Sequence, residues 1–138
     1  MKNQILRLVA LVAALIALLF SCTRPVTEEN LYQASSVEIT AHGSKDSASE
    51  IQIISDEREV LNLANTFSLL SVKRGKIDDS IKKSYTVRFL DKDGGEIEVF
   101  SLYEGSNVIK CGENVYRITE DGDLNYHIRE EVLKSPKD

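Results

Sequence analysis

The residue types that most often carry catalysis or hold metal ions are scarce in this chain of 138 residues, which has two histidines and two cysteines. His42 and His127 stand 85 positions apart, whereas zinc sites usually draw their ligands from short local pairs of Cys or His. No metal site is therefore expected. The chain also lacks a G-x-S-x-G elbow, a phosphate-binding P-loop and a glycine-rich dinucleotide fingerprint, so no cofactor is implied. Positive charge is in deficit, with 17 Lys and Arg against 22 Asp and Glu. Affinity for nucleic acid rests on cationic side chains meeting phosphates, so a nucleic-acid partner is not expected.

What the chain does have begins at its first residue. Met1 to Arg7 carries two positive side chains and no acid, and Leu8 to Phe20 runs unbroken through Leu, Val, Ala, Ile and Phe. A charged start followed by an apolar run of this length is the pattern of a secretory signal. A membrane span fits less well. The 16 uncharged residues between Arg7 and Arg24 reach roughly 24 Å at a rise of about 1.5 Å each, short of a hydrocarbon core of roughly 30 Å. The run closes on Leu19-Phe20-Ser21-Cys22, which resembles the lipobox of bacterial lipoproteins: an aliphatic residue, then a small residue directly before an obligatory cysteine. The resemblance implies cleavage between Ser21 and Cys22, with diacylglycerol on the Cys22 thiol and a lipid anchor to a membrane on its extracytoplasmic side. Thr23 is not the aspartate that resembles an inner-membrane retention signal, so outer-membrane sorting is implied wherever the envelope has an outer membrane.

Removal of residues 1–22 changes the balance of the remainder. The 116 residues left include 41 apolar ones, about 35 per cent, enough for one modest core. Lys2 and Arg7 leave with the signal, so 15 basic side chains face 22 acidic ones, a formal net charge of −7. Such a domain has no broad attraction to anionic lipid, and the acyl chains must hold it in place. Cys111 is then the last thiol and has no partner within the chain. It reads as a small buried strand residue; the alternative is a thiol that pairs with another protein.

The rest divides into a flexible tether over 22–35, where no periodicity is visible, and a single globular domain over 36–138. Val37 to Thr40 and Ile51 to Ile54 read as strands, with the loop-forming run His42 to Ser47 between them. A helix is predicted over about 56–71. Asp56 and Glu59 form a capping-box pattern, and Val60, Leu63, Ala64, Phe67 and Leu70 share one face. From Ser84 the period changes to two. Strands over Ser84 to Phe89, Glu96 to Tyr103, Val108 to Cys111 and Val115 to Thr119 are joined by short turns, which predicts an antiparallel four-stranded meander. A short C-terminal helix over about Leu124 to Lys134 closes the chain. The fold class expected is α+β, an antiparallel sheet with the 56–71 helix packed on it.

The order of these elements resembles small lipoproteins of Gram-positive bacteria. In them a helix precedes a hairpin with an aromatic strand, an Asp-Lys-Asp-Gly turn and a later Gly-x-x-x-Tyr strand. The matching residues are Tyr85 to Phe89, Asp91 to Gly94, and Gly112 with Tyr116. The resemblance carries no active site with it.

Three further groups of residues invite a functional reading. The acidic turn Asp91 to Glu96 suggests calcium, but with Gly94 as the sixth residue of an EF-hand loop the first and twelfth positions fall on Phe89 and Phe100, which cannot bind a cation. Aligning Gly122 the same way gives Arg117 and Ile128. Both segments are therefore expected to be turns. Lys73, Arg74, Lys76, Lys82 and Lys83 form the one cationic feature, a candidate patch for anionic cell-wall polymer or lipid headgroups. His127 with Cys111 and nearby carboxylates is the one arrangement that an enzyme, a small hydrolase, could use. The alternative is a non-catalytic module that meets an envelope protein, peptide or polymer through an exposed sheet face or edge, and the absence of any local catalytic motif favours it.

Overall fold

The computed structural model describes residues 2–21, 25–43, 49–119 and 122–133. The first helix, α1, spans Lys2–Ser21. Ser21 is its last residue, and Cys22 lies outside the described residues. Among those residues no helix is long and apolar enough to cross a membrane.

The domain is α+β. Its strands are β1 (Ser36–Ala41), β2 (Glu50–Ile54), β3 (Val72–Arg74), β4 (Lys83–Leu90), β5 (Glu96–Tyr103), β6 (Val108–Cys111) and β7 (Asn114–Ile118). They form one seven-stranded sheet in the order β2-β1-β4-β5-β6-β7-β3, with every pairing antiparallel. The expected meander is the β4 to β7 part of it. Its first turn is built by Asp91, whose Oδ1 accepts from Asp93 N at 2.9 Å and Gly95 N at 2.8 Å, with Gly94 at φ +82°. This aspartate closes the backbone turn, as its turn-forming composition suggested.

Helix α2 spans Glu57–Ser68. Asp56 caps it, its Oδ1 accepting from Arg58 N and Glu59 N at 3.1 Å each. The helix ends three residues short of the predicted limit because Val72 is drawn, fully buried, into β3 beside Ile118. Burial of Val60, Leu63, Ala64 and Phe67 sets Phe67 against Phe89 and Phe100, with ring centroids 5.5 and 4.8 Å away. Phe89 and Phe100 meet edge to face at 5.8 Å, the arrangement that aromatic quadrupoles favour.

The short C-terminal helix expected from the sequence is present, as two turns of different kind, and the structure adds a 3-10 turn that was not expected. Leu31–Gln33 forms a 3-10 turn, and α3 (Leu124–His127) continues into a π-helical turn over Ile128–Val132. Asn125 ties α3 to the sheet: its Nδ2 donates to Tyr103 O at 3.0 Å, and its side chain hydrogen-bonds the buried Ser84 hydroxyl.

The segment expected as a tether differs most from expectation. Val26 is 2% exposed and Leu31 is fully buried, both within the single core cluster. Tyr32 adds a hydrogen bond from its hydroxyl to Asn65 Oδ1 of α2 at 2.7 Å. Two buried residues five positions apart in irregular backbone follow neither helical nor strand spacing, so this packing leaves no periodic trace.

Together these elements cover one face of the sheet. Val37, Ile39, Val87, Phe89, Phe100, Leu102 and Ile109 point into it and are buried. The other face carries Glu38, Thr86, Arg88, Val99 and Lys110, all part-exposed. There Arg88 lies between Glu38, at 3.5 Å, and Glu96.

Candidate functional site

A polar cleft opens on the inner face of the sheet, beside the N-terminal segment, with a volume of about 980 Å³. Strand pairing explains why these side chains meet. Glu98 stands opposite Phe89 and is in phase with the buried Phe100 and Leu102. Cys111 pairs with Phe100 and with Asn114, and Arg74 with Tyr116. All therefore share the inner face. Val26 and Thr27 form the opposite wall, joined by Glu28, Glu29 and Glu113. Four carboxylates line the cleft with one guanidinium, and Tyr116 supplies an aromatic surface. This chemistry suits a ligand group with an ammonium better than an anion.

Gly75 shapes the same cleft. Its N–H donates to Val115 O at 3.0 Å, and a Cβ there would lie 2.8 Å from Arg117 N and 2.9 Å from Tyr116 C. Only glycine lets β3 leave the sheet so close to β7.

At the base of the cleft, Thr27 Oγ1 donates to Glu98 Oε2 at 2.9 Å, and Val99 N donates to Glu98 Oε1 at 3.1 Å. Burial pushes the Cys111 thiol up to about 12, aided by the charge of Glu98 and a hydrogen bond to it. At neutral pH the thiolate is then on the order of one part in 10⁵ of the total, and a thiol nucleophile needs its thiolate. Cys111 is 7% exposed, which agrees with the expectation of a buried strand residue.

The raised pKa has a consequence for stability. Below about pH 9, the ordinary value of this thiol, folded and unfolded chains both keep the proton. Between about pH 9 and about 12 only the folded chain keeps it, so stability falls as pH rises, by up to about 1.4 kcal/mol per pH unit. Denaturant titrations across this window are expected to show that slope in the native chain and a flatter one in Cys111→Ala. Identical slopes would refute the burial of the thiol beside Glu98.

His127 lines a different depression, with Asn65, Leu69, Leu70 and Leu124. Cys111 and His127 are thus not brought together as nucleophile and base. His42 lies at the end of β1, its Nε2 2.7 Å from Thr86 Oγ1 on the outer face. Among the described residues no group of three or more His, Cys, Asp or Glu is arranged to hold a metal ion.

The five cationic residues fall into two groups. Lys73 and Arg74 lie on edge strand β3, with Lys76 just beyond, while Lys82 and Lys83 lead into β4. Four strand spacings separate β3 from β4, roughly 19 Å at about 4.8 Å each. Arg74 points into the cleft, and Lys82 and Lys83 border a shallow depression with His42, Tyr103 and Glu104.

The sheet has a second feature of functional interest. Edge strand β2 bears Ile51 and Ile53, 62% and 64% exposed. They stand opposite Thr40 and Glu38 and so lie on the outer face. Proline, lysine and β-bulges are the usual guards of a sheet edge, and β2, Glu-Ile-Gln-Ile-Ile, contains neither residue and pairs with β1 without a break in register.

Sequence reasoning missed Thr27 and Glu98. One signal for Glu98 was present: in the alternating run 96–103 an acid occupies the face that Phe100 and Leu102 share. No protein-family model, curated protein or solved structure matches this chain.

Proposed function

We propose that this chain is a lipoprotein of the cell envelope, cut before Cys22 and anchored by lipid on that residue, whose domain is a non-catalytic interaction module. The partner is an extended segment of an envelope protein or peptide that pairs along β2. The observation that carries the module reading is the unguarded β2 edge with its exposed Ile51 and Ile53. An edge strand offers a row of free N–H and C=O groups, and side chains at alternate positions give selectivity. The separation of Cys111 from His127 and the protonated state of the thiol support a binding role over the hydrolase alternative. The envelope location rests on the signal pattern and the lipobox resemblance.

The edge is tested by replacing both isoleucines. A photoreactive residue at Glu50, also exposed on β2, is expected to cross-link a defined partner in intact cells. Ile51→Lys with Ile53→Lys is expected to reduce that product at least tenfold. Both sites are exposed, so stability is expected to change by no more than about 0.5 kcal/mol per site. Cross-linking that survives the double replacement, or that is equally strong from Arg117 on β7, would reject the β2 edge as the contact.

A further inference from the structure

We infer that the β6–β7 end of the domain rests on the membrane surface, so that the cleft beside Val26 opens onto the lipid headgroups. This rests on the proposed lipid at Cys22 and adds to it a length of chain. Val26 is 2% exposed and fixed in the core, and only Thr23, Arg24 and Pro25 separate it from Cys22. Four Cα steps span at most about 14 Å when fully extended. A lipidated Cys22 lies at headgroup level, so Val26 cannot rise farther than that above the surface. A free linker over 22–35 would have reached roughly three times as far.

The short connection sets an orientation as well as a height. Val26 shares its cleft with Gly112, Glu113 and Asn114 of the β6–β7 turn, so this turn is held near the lipid. The β5–β6 turn at Glu104 lies at the other end of β6, roughly 17 Å away along the strands at about 3.4 Å per residue. Edge strand β2 is four strand spacings from β6, roughly 19 Å, and is left free for a partner. The cleft rim bears Glu28, Glu29 and Glu113 with Arg74 as its counter-charge. The complementary surface is therefore one of zwitterionic headgroups that present an ammonium, such as phosphatidylethanolamine.

The chain has no tryptophan, so a single introduced one reports its own position. The processed, acylated protein is placed in vesicles of phosphatidylethanolamine and phosphatidylcholine that contain a little headgroup-dansylated lipid, and energy transfer from tryptophan is measured. Glu113→Trp is expected to transfer several-fold more efficiently than Glu104→Trp. Insertion of twenty Gly and Ser residues between Arg24 and Pro25 is expected to bring Glu113→Trp down to the level of Glu104→Trp. Equal transfer at the two positions, or transfer at 113 that ignores the linker, would overturn the orientation. Acyl mass and co-flotation with vesicles separate the two levels of the account: a chain that floats and carries lipid while both tryptophans transfer equally refutes the orientation alone. A chain that lacks acyl mass removes the anchor, and the orientation falls with it.

Discussion

Phe67→Ala is expected to lower the free energy of unfolding by about 3–5 kcal/mol. Phe67 is fully buried and joins α2 to the central strand β5 and its neighbour β4 through Phe100 and Phe89. Its removal opens a cavity among rings that belong to three separate elements, none of which can collapse into the gap without leaving its own register. Domains of this size have a total stability of about 5–15 kcal/mol, so the loss is a large share of the whole. Urea titration measures it directly. The midpoint is expected to fall sharply with little change in slope, and Phe67→Leu, which keeps part of the volume, is expected to lose about half as much. A loss under about 1 kcal/mol would mean that α2 does not rest on the sheet through this ring.

The second large effect concerns anchorage. Cys22→Ala is expected to abolish acylation, leave the precursor uncut and end lipid-dependent attachment to the membrane. The resemblance to the lipobox implies that the peptidase acts only after the thiol carries lipid, so one substitution blocks both steps. Under the proposed processing the domain would have no electrostatic substitute for a lipid, since residues 23–138 carry 15 basic side chains against 22 acidic ones. Each buried methylene of an acyl chain contributes about 0.8 kcal/mol, and two chains together give a stable anchor where one alone is marginal. Gel mobility and palmitate labelling of the variant distinguish uncut precursor from processed protein.

Legibility in the sequence followed the length and regularity of each element. Helix α2 was visible because Asp56 caps it and Val60, Leu63, Ala64 and Phe67 repeat at helical spacing; both signals are local. The β4 to β7 meander was visible because alternation runs through the eight-residue β4 and β5 and a glycine-containing turn follows each of β4, β5 and β6. Strand β3 was not, because three residues, Val72 to Arg74, are too few to show a period. Its existence depends on a long-range fact, the pairing of Val72 with Ile118.

The candidate cleft was hidden for the same reason. Thr27 meets Glu98 across 71 positions of chain, and nothing around Thr27 marks it as packed. Val26 and Leu31 are apolar residues in a polar run, the composition of a linker, yet both are buried. The five cationic residues show the opposite failure. They are neighbours in sequence, but the crossing from one sheet edge to β4 carries Lys82 and Lys83 away from Lys73 and Arg74. Proximity along a chain that passes from an edge to the middle of a sheet is a poor guide to proximity in space.

Whether lipid on Cys22 holds the domain at a membrane is decided by the mass of the chain. Intact-mass and N-terminal peptide measurements on the chain extracted from membranes are expected to find Cys22 as the first residue, carrying diacylglycerol, with residues 1–21 absent. A chain that retains residues 1–21, or that begins at Cys22 with an unmodified thiol, would contradict the account.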